Sequence, residues 1–120
     1  MDLTYDVTNQ SEFAGVTLKY DDFSTPEIEF EDLSALGSLI VGLTAPAGTQ
    51  VKVEIEDADG NRDFVILNNV GTTEQFYEIP FSAFFGVDFT KIRFINFIID
   101  HSLVTSFTGT LELRTDGLQF

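Results

Sequence analysis

The sequence predicts an all-β fold, an antiparallel β-sandwich of about nine strands, on three grounds. Apolar and polar residues alternate with a period of two along most of the chain, and no sustained helical period occurs. Turn-forming residues recur about every 8–12 positions, the spacing of sandwich and barrel strands. The length, 120 residues with 43% hydrophobic and 13 Phe, suits one core of single-domain size. Residues 1–120 therefore read as one domain, with no internal repeat, low-complexity tract or linker.

The elements follow in order. Leu3, Tyr5 and Val7 alternate with Asp2, Thr4, Asp6 and Thr8, and Val16, Leu18 and Tyr20 with Thr17 and Lys19. Ile28 and Phe30 alternate with Glu27, Glu29 and Glu31, which predicts a third half-buried strand. Leu39-Ile40-Val41-Gly42-Leu43 is apolar on both sides, as a covered strand would be, and Pro46-Ala47-Gly48 turns the chain after it. Val51, Val53 and Ile55 alternate with Lys52, Glu54 and Glu56 up to Asp59-Gly60, a hairpin signal. Further strands are predicted over 64–67, 74–79, 92–99 and 110–115, with a last short one at Gln119-Phe120. A single helical turn is predicted at 82–86, after Pro80. Parity within strands places Leu18, Val53, Ile55, Ile79, Ile95, Phe97 and Leu111 in the core.

Charge narrows the partners. Twenty Asp and Glu against six Lys and Arg give −14. Nucleic acid is excluded as a partner, because affinity for phosphates comes from Lys and Arg. Anionic membrane surfaces repel the chain for the same reason. No membrane insertion is expected either: the uncharged stretch from Leu33 to Val51 is broken by Pro46 and three glycines, whereas a span needs about 20 predominantly apolar residues. The first six residues show no basic, then apolar, secretory pattern. Without cysteine there is no disulfide, thiolate metal site or thiol nucleophile.

Catalytic constellations are sparse, and the expectation is that the chain is not an enzyme. Asp100-His101-Ser102 holds the three residue types of a nucleophilic triad, but consecutive residues cannot converge in that order. His101, the only histidine, reads as a loop residue. The acids fall on outward strand positions and turns, which is not the setting of a glycosidase carboxylate pair. Asp57, Asp59, Asn61 and Asp63 have the alternate spacing of a calcium loop, yet the Gly and the terminal Glu of an EF-hand are not where that loop needs them. The hairpin-turn reading is preferred there.

Three ordered segments resemble a known family. Val51 to Asn61, then Glu78-Ile79-Pro80-Phe81-Ser82-Ala83-Phe84 with Gly86-Val87-Asp88-Phe89-Thr90-Lys91-Ile92, then Phe97-Ile98-Ile99-Asp100 with Gly109-Thr110-Leu111 and Thr115-Asp116-Gly117-Leu118, stand in the order and spacing of galactose-binding-like jelly-roll domains. These include bacterial carbohydrate-binding modules as well as domains of surface and assembly proteins. The resemblance implies a non-catalytic module of a larger extracellular or cell-surface protein that binds a polysaccharide or other glycan. It also implies a structural calcium to which Asp116 contributes. Against the family pattern, the chain is expected to start after the first strand, leaving a sheet edge open. Trp is absent where binding members commonly display it, and the family's acid pair is reduced to Asp116-Gly117.

Candidate binding residues come from parity. Phe76 shares the register of Glu74 and Glu78, and Phe94 that of Asn96 and Ile98, all opposite to the core side. Thr17, Lys19, Lys52 and Glu54 face outward on the same argument. A large apolar side chain at such a position marks an interaction surface. If the ligand is a sugar, Phe94 supplies the stacking platform and Asn96 the hydroxyl partner. If the partner is another copy of the chain, Phe76, Phe94 and Ile98 meet it, with an edge strand completing a neighbour's sheet.

Overall fold

The computed structural model describes residues 1–116, the side chain of Asp116 excepted. Eight strands form two four-stranded antiparallel sheets. They are β1 (Asp2–Asp6), β2 (Phe13–Lys19), β3 (Ser38–Thr44), β4 (Thr49–Asp57), β5 (Arg62–Val70), β6 (Gln75–Pro80), β7 (Ile92–Asp100) and β8 (Thr108–Asp116). Sheet A has the order β1-β8-β3-β6 and sheet B the order β2-β7-β4-β5, which is the strand order of a jelly roll. The expected fold class holds, with eight described strands rather than nine; Gln119-Phe120 lies outside the described residues.

One core fills the space between the sheets. All seven residues assigned to it by parity are buried, and Tyr5, Val7, Leu39, Val41, Leu43, Val51, Ile92, Ile99 and Leu113 join them. The Asp59-Gly60 turn forms as its sequence requires, with Gly60 at φ 85°. The helical turn after Pro80 is a single 3₁₀ turn, Phe81–Ala83.

Two segments depart from the expectation. Residues 27–31 form no strand beyond one bridge, Glu31 to Ile92, and the apolar pair faces outward: Ile28 is 50% and Phe30 53% exposed. Here Glu29 turns toward its own loop instead. Its carboxylate accepts from the Asp22 N–H at 3.2 Å and from Thr25 Oγ1 at 3.1 Å, while its N–H donates to Asp21 at 3.1 Å. These local bonds satisfy groups that a sheet would otherwise have taken. The run Leu39 to Leu43 is not covered on both sides either: Ile40 is exposed, and the outer side of Gly42 is occupied by the Phe76 ring.

Because Phe97 is completely buried on the central strand β7, Phe97→Ala should cost about 3–5 kcal/mol. Urea unfolding followed by circular dichroism measures this, and a cost below about 1 kcal/mol would place Phe97 outside the core.

Candidate functional site

The outer face of sheet B is built by the register of its strands. Thr17, Asn96, Glu54 and Phe64 lie opposite one another in one row across β2, β7, β4 and β5; Gly15, Ile98, Lys52 and Ile66 form the next. Lys19, Phe94, Glu56 and Arg62 form the row on the other side. Alternation along each strand places these side chains away from the core.

Polar groups in the middle row are linked. Thr17 Oγ1 donates to Asn96 Oδ1 at 2.7 Å, and Asn96 Nδ2 donates to Glu54 Oε1 at 3.3 Å. An amide has two N–H donors and a hydroxyl has two lone pairs, so both Asn96 and Thr17 keep capacity toward solvent. Beside them lies a shallow depression of about 170 Å³, lined by Phe13, Gly15, Thr17, Asn96 and Ile98. Glycine is required at position 15 of its lining for a steric reason: a Cβ there would stand 2.8 Å from the carbonyl oxygen of Phe97. Enclosed ligand pockets run about 300–1,000 Å³, so this depression could touch one side of a small ring rather than surround it.

The sequence-derived residues divide between the two sheets. Phe94, Asn96 and Ile98 come together on sheet B, with Asn96 and Ile98 bordering the depression. Phe76 lies on the outer face of sheet A, opposite Gly42, and is 58% exposed. Phe94 is half-buried: Phe23 meets it edge-on at a centroid distance of 6.0 Å, and the Arg93 guanidinium lies 5.7 Å from its ring. The most open aromatic on the strands of this face is Phe13, 74% exposed beside Gly15, against 48% for Phe64. Sequence reasoning missed it by starting the β2 alternation at Val16; carrying the parity of Thr17 back through Gly15 reaches Phe13. Phe64 was missed likewise, although the hairpin register sets it opposite Glu54. Lys52 Nζ sits 4.3 Å from the Phe64 ring centroid and 4.0 Å from Glu54.

Arg93 fixes the loop that flanks this face. It pairs with two buried carboxylates, Asp21 at 2.5 Å and Glu56 at 2.9 Å, and Glu56 also receives Arg62 at 2.6 Å. The Arg93 hydrogen bond, followed by the Glu29 N–H, holds the Asp21 carboxyl below the ordinary carboxylate range. A second pin is Asp57. Burial pushes its carboxyl up, but the N–H groups of Asp88, Asn61 and Asp59 and the Asn61 amide outweigh that and hold it low.

The other sequence constellations serve the backbone. Ser102 donates to Asp100 through both Oγ and N–H, and His101 donates from Nδ1 to the Val7 carbonyl while stacking on Phe107. Asp63 accepts from the Phe85 N–H at 2.7 Å, so with Asp57 it works as a turn staple. Among the described residues no three His, Asp or Glu side chains gather where they could hold a metal ion; the Asp116 side chain lies outside them. No helix is long and apolar enough to cross a membrane among the described residues.

No family matches the chain, and neither a curated protein nor a solved structure does.

Removing Arg93 would leave Asp21 and Glu56 buried without their shared cation. Arg93→Met should therefore lower Tm at pH 7 and raise amide exchange over residues 21–33. The sign with pH follows from the depressed Asp21 and Asp57 carboxyls. Their contribution is present above the unfolded carboxylate pKa of about 3.9 and is lost as pH falls through the lower folded values. Wild-type Tm should drop below about pH 4. The gap to Arg93→Met should narrow there, since protonation relieves the stranded acids. Thermal melts across pH check both; a gap that widens in acid would contradict the pairing.

Proposed function

We propose that this chain is a non-catalytic carbohydrate-binding module of a larger extracellular or cell-surface protein, and that it meets a polysaccharide or glycan on the outer face of sheet B. The observation carrying this reading is the adjacency of the open Phe13 ring, the shallow Gly15 depression and the Thr17–Asn96–Glu54 row. Sugar rings offer apolar C–H faces that stack on aromatics and hydroxyls that both donate and accept. The face offers partners for each, on a shallow surface rather than in an enclosed pocket. Phe94 and Ile98 would extend the apolar contact from the neighbouring rows.

Retention on polysaccharide-containing native gels, guided by a glycan array, tests the reading. Phe13→Ala and Asn96→Ala should each weaken binding about tenfold or more, equivalent to about 1.4 kcal/mol, with Tm unchanged. Binding that survives both substitutions would place the ligand elsewhere.

A second reading, a structural subunit of an extracellular assembly, draws on the exposed apolar side chains of both outer faces. Ile40 and Phe76 stand on sheet A, and Phe13, Phe64 and Ile66 on sheet B. The charge of −14 would hold copies apart until calcium or a partner screened it. Calcium, with Asp116 as a contributing side chain, remains part of the proposal through the family resemblance alone. Millimolar calcium should raise Tm relative to chelator if it binds the folded state, by about 2.7 kcal/mol of stability at a hundredfold excess over Kd. Sedimentation in the same two buffers distinguishes the readings: a calcium-dependent oligomer abolished by Phe76→Ser favours assembly, and a monomer in both favours the binding module.

A further inference from the structure

If the outer face of sheet B binds a glycan, its chemistry also limits which kind. We infer that the Gly15 depression selects neutral sugar chains and rejects those carrying carboxylate or sulfate groups. This rests on the glycan-binding reading and adds the ligand's charge class to it.

The polar side chains bordering the depression, Thr17 and Asn96, are neutral, and no Lys or Arg lines it. Recognition of a sugar carboxylate or sulfate draws on guanidinium or ammonium groups, because charge-assisted bonds offset the loss of the anion's hydration. The basic residues of the same face are engaged elsewhere: Lys52 lies over Phe64 and near Glu54, Lys19 lies 5.0 Å from the Phe23 ring, and Arg62 pairs with Glu56 at 2.6 Å. The nearest charge behind Asn96 has the wrong sign for an anion, since Glu54 accepts from the Asn96 amide. At longer range the net charge of −14 repels any polyanion approaching this surface.

For a neutral ring the same groups fit. The free Asn96 N–H can donate to one sugar hydroxyl, the Thr17 oxygen can accept from another, and the Phe13 ring can cover a C–H face. No buried charge has to be desolvated for this, so nothing in the depression penalises an uncharged ligand.

Native affinity gels give the test, cast with a mixed-linkage β-glucan, galactomannan or xylan on one side and with polygalacturonate or alginate on the other. Each is run at ~20 mM and ~150 mM NaCl, because the higher salt shortens the Debye length to about 8 Å and removes most long-range repulsion. The expected result is retardation of the wild type by at least one neutral polymer at both salts, lost in Phe13→Ala and Asn96→Ala. Neither anionic polymer should retard it, even at the higher salt. Retardation by polygalacturonate or alginate that Phe13→Ala abolishes would overturn the selectivity while leaving glycan binding standing. If no polymer of either class retards the protein, the glycan-binding reading falls, and the selectivity with it.

Discussion

Burial of Ile95, Phe97 and Ile99 on β7 is the constraint from which the outer surface of sheet B follows. All three are completely removed from solvent, and β7 lies between β2 and β4. Successive side chains of a strand point to opposite faces, so seating these three inward commits Phe94, Asn96 and Ile98 to the outside. Pairing on both flanks then sets Gly15 and Thr17 on one side of them, and Lys52 and Glu54 on the other. A slip of one residue would exchange the two sets, expose three large apolar side chains and bury an amide, which is why the register is firmly specified. The candidate face is thus a by-product of the core.

Electrostatics shape what surrounds that face. An acid-rich chain must keep its copies and its own loops from repelling one another, and the acids here are largely occupied with backbone N–H groups and hydroxyls. Asp6, Asp22, Asp32, Asp88 and Asp100 each take the hydroxyl and the N–H of a Ser or Thr two residues on. Asp21, Glu56 and Asp57 are the buried acids; Asp57 is held by N–H groups of its own turn and of Asp88, and Arg93 serves the other two. That arrangement ties the loop after β2 to the start of β7, beside Phe94. It also explains why the Phe94 ring is flanked by Phe23 and offers less open surface than Phe13.

Jelly-roll order leaves β1, β6, β2 and β5 as sheet edges. The Gly15 contact lies where the edge strand β2 comes close to the Phe97 carbonyl. A glycine on an edge strand opens surface at that point, and the open Phe13 stands next to it. Sheet A handles its own outer glycine differently. There the Phe76 ring lies over Gly42, and the Arg114–Glu74 pair at 3.6 Å flanks it. The two outer faces are therefore unequal: one presents a polar row with a depression, the other a glycine already covered by its own aromatic.

The alternation of residues determined the fold class, the inward set from Leu18 to Leu111, the turn at Asp59-Gly60 and the outward direction of Asn96, Ile98 and Phe76. Those features depend on local parity and on turn chemistry, both of which a sequence carries directly. Three others were decided only by tertiary structure. Glu27 to Glu31 has strand alternation but finds just one bridge, because its polar groups bond within the loop and Arg93 anchors the loop from another strand. Phe76 and Phe94 look equivalent by parity, yet strand order puts them on opposite sheets, and order depends on pairings between distant segments. The need for glycine at position 15 comes from the Phe97 carbonyl on the neighbouring strand β7, a contact between residues far apart in the chain that no local pattern encodes.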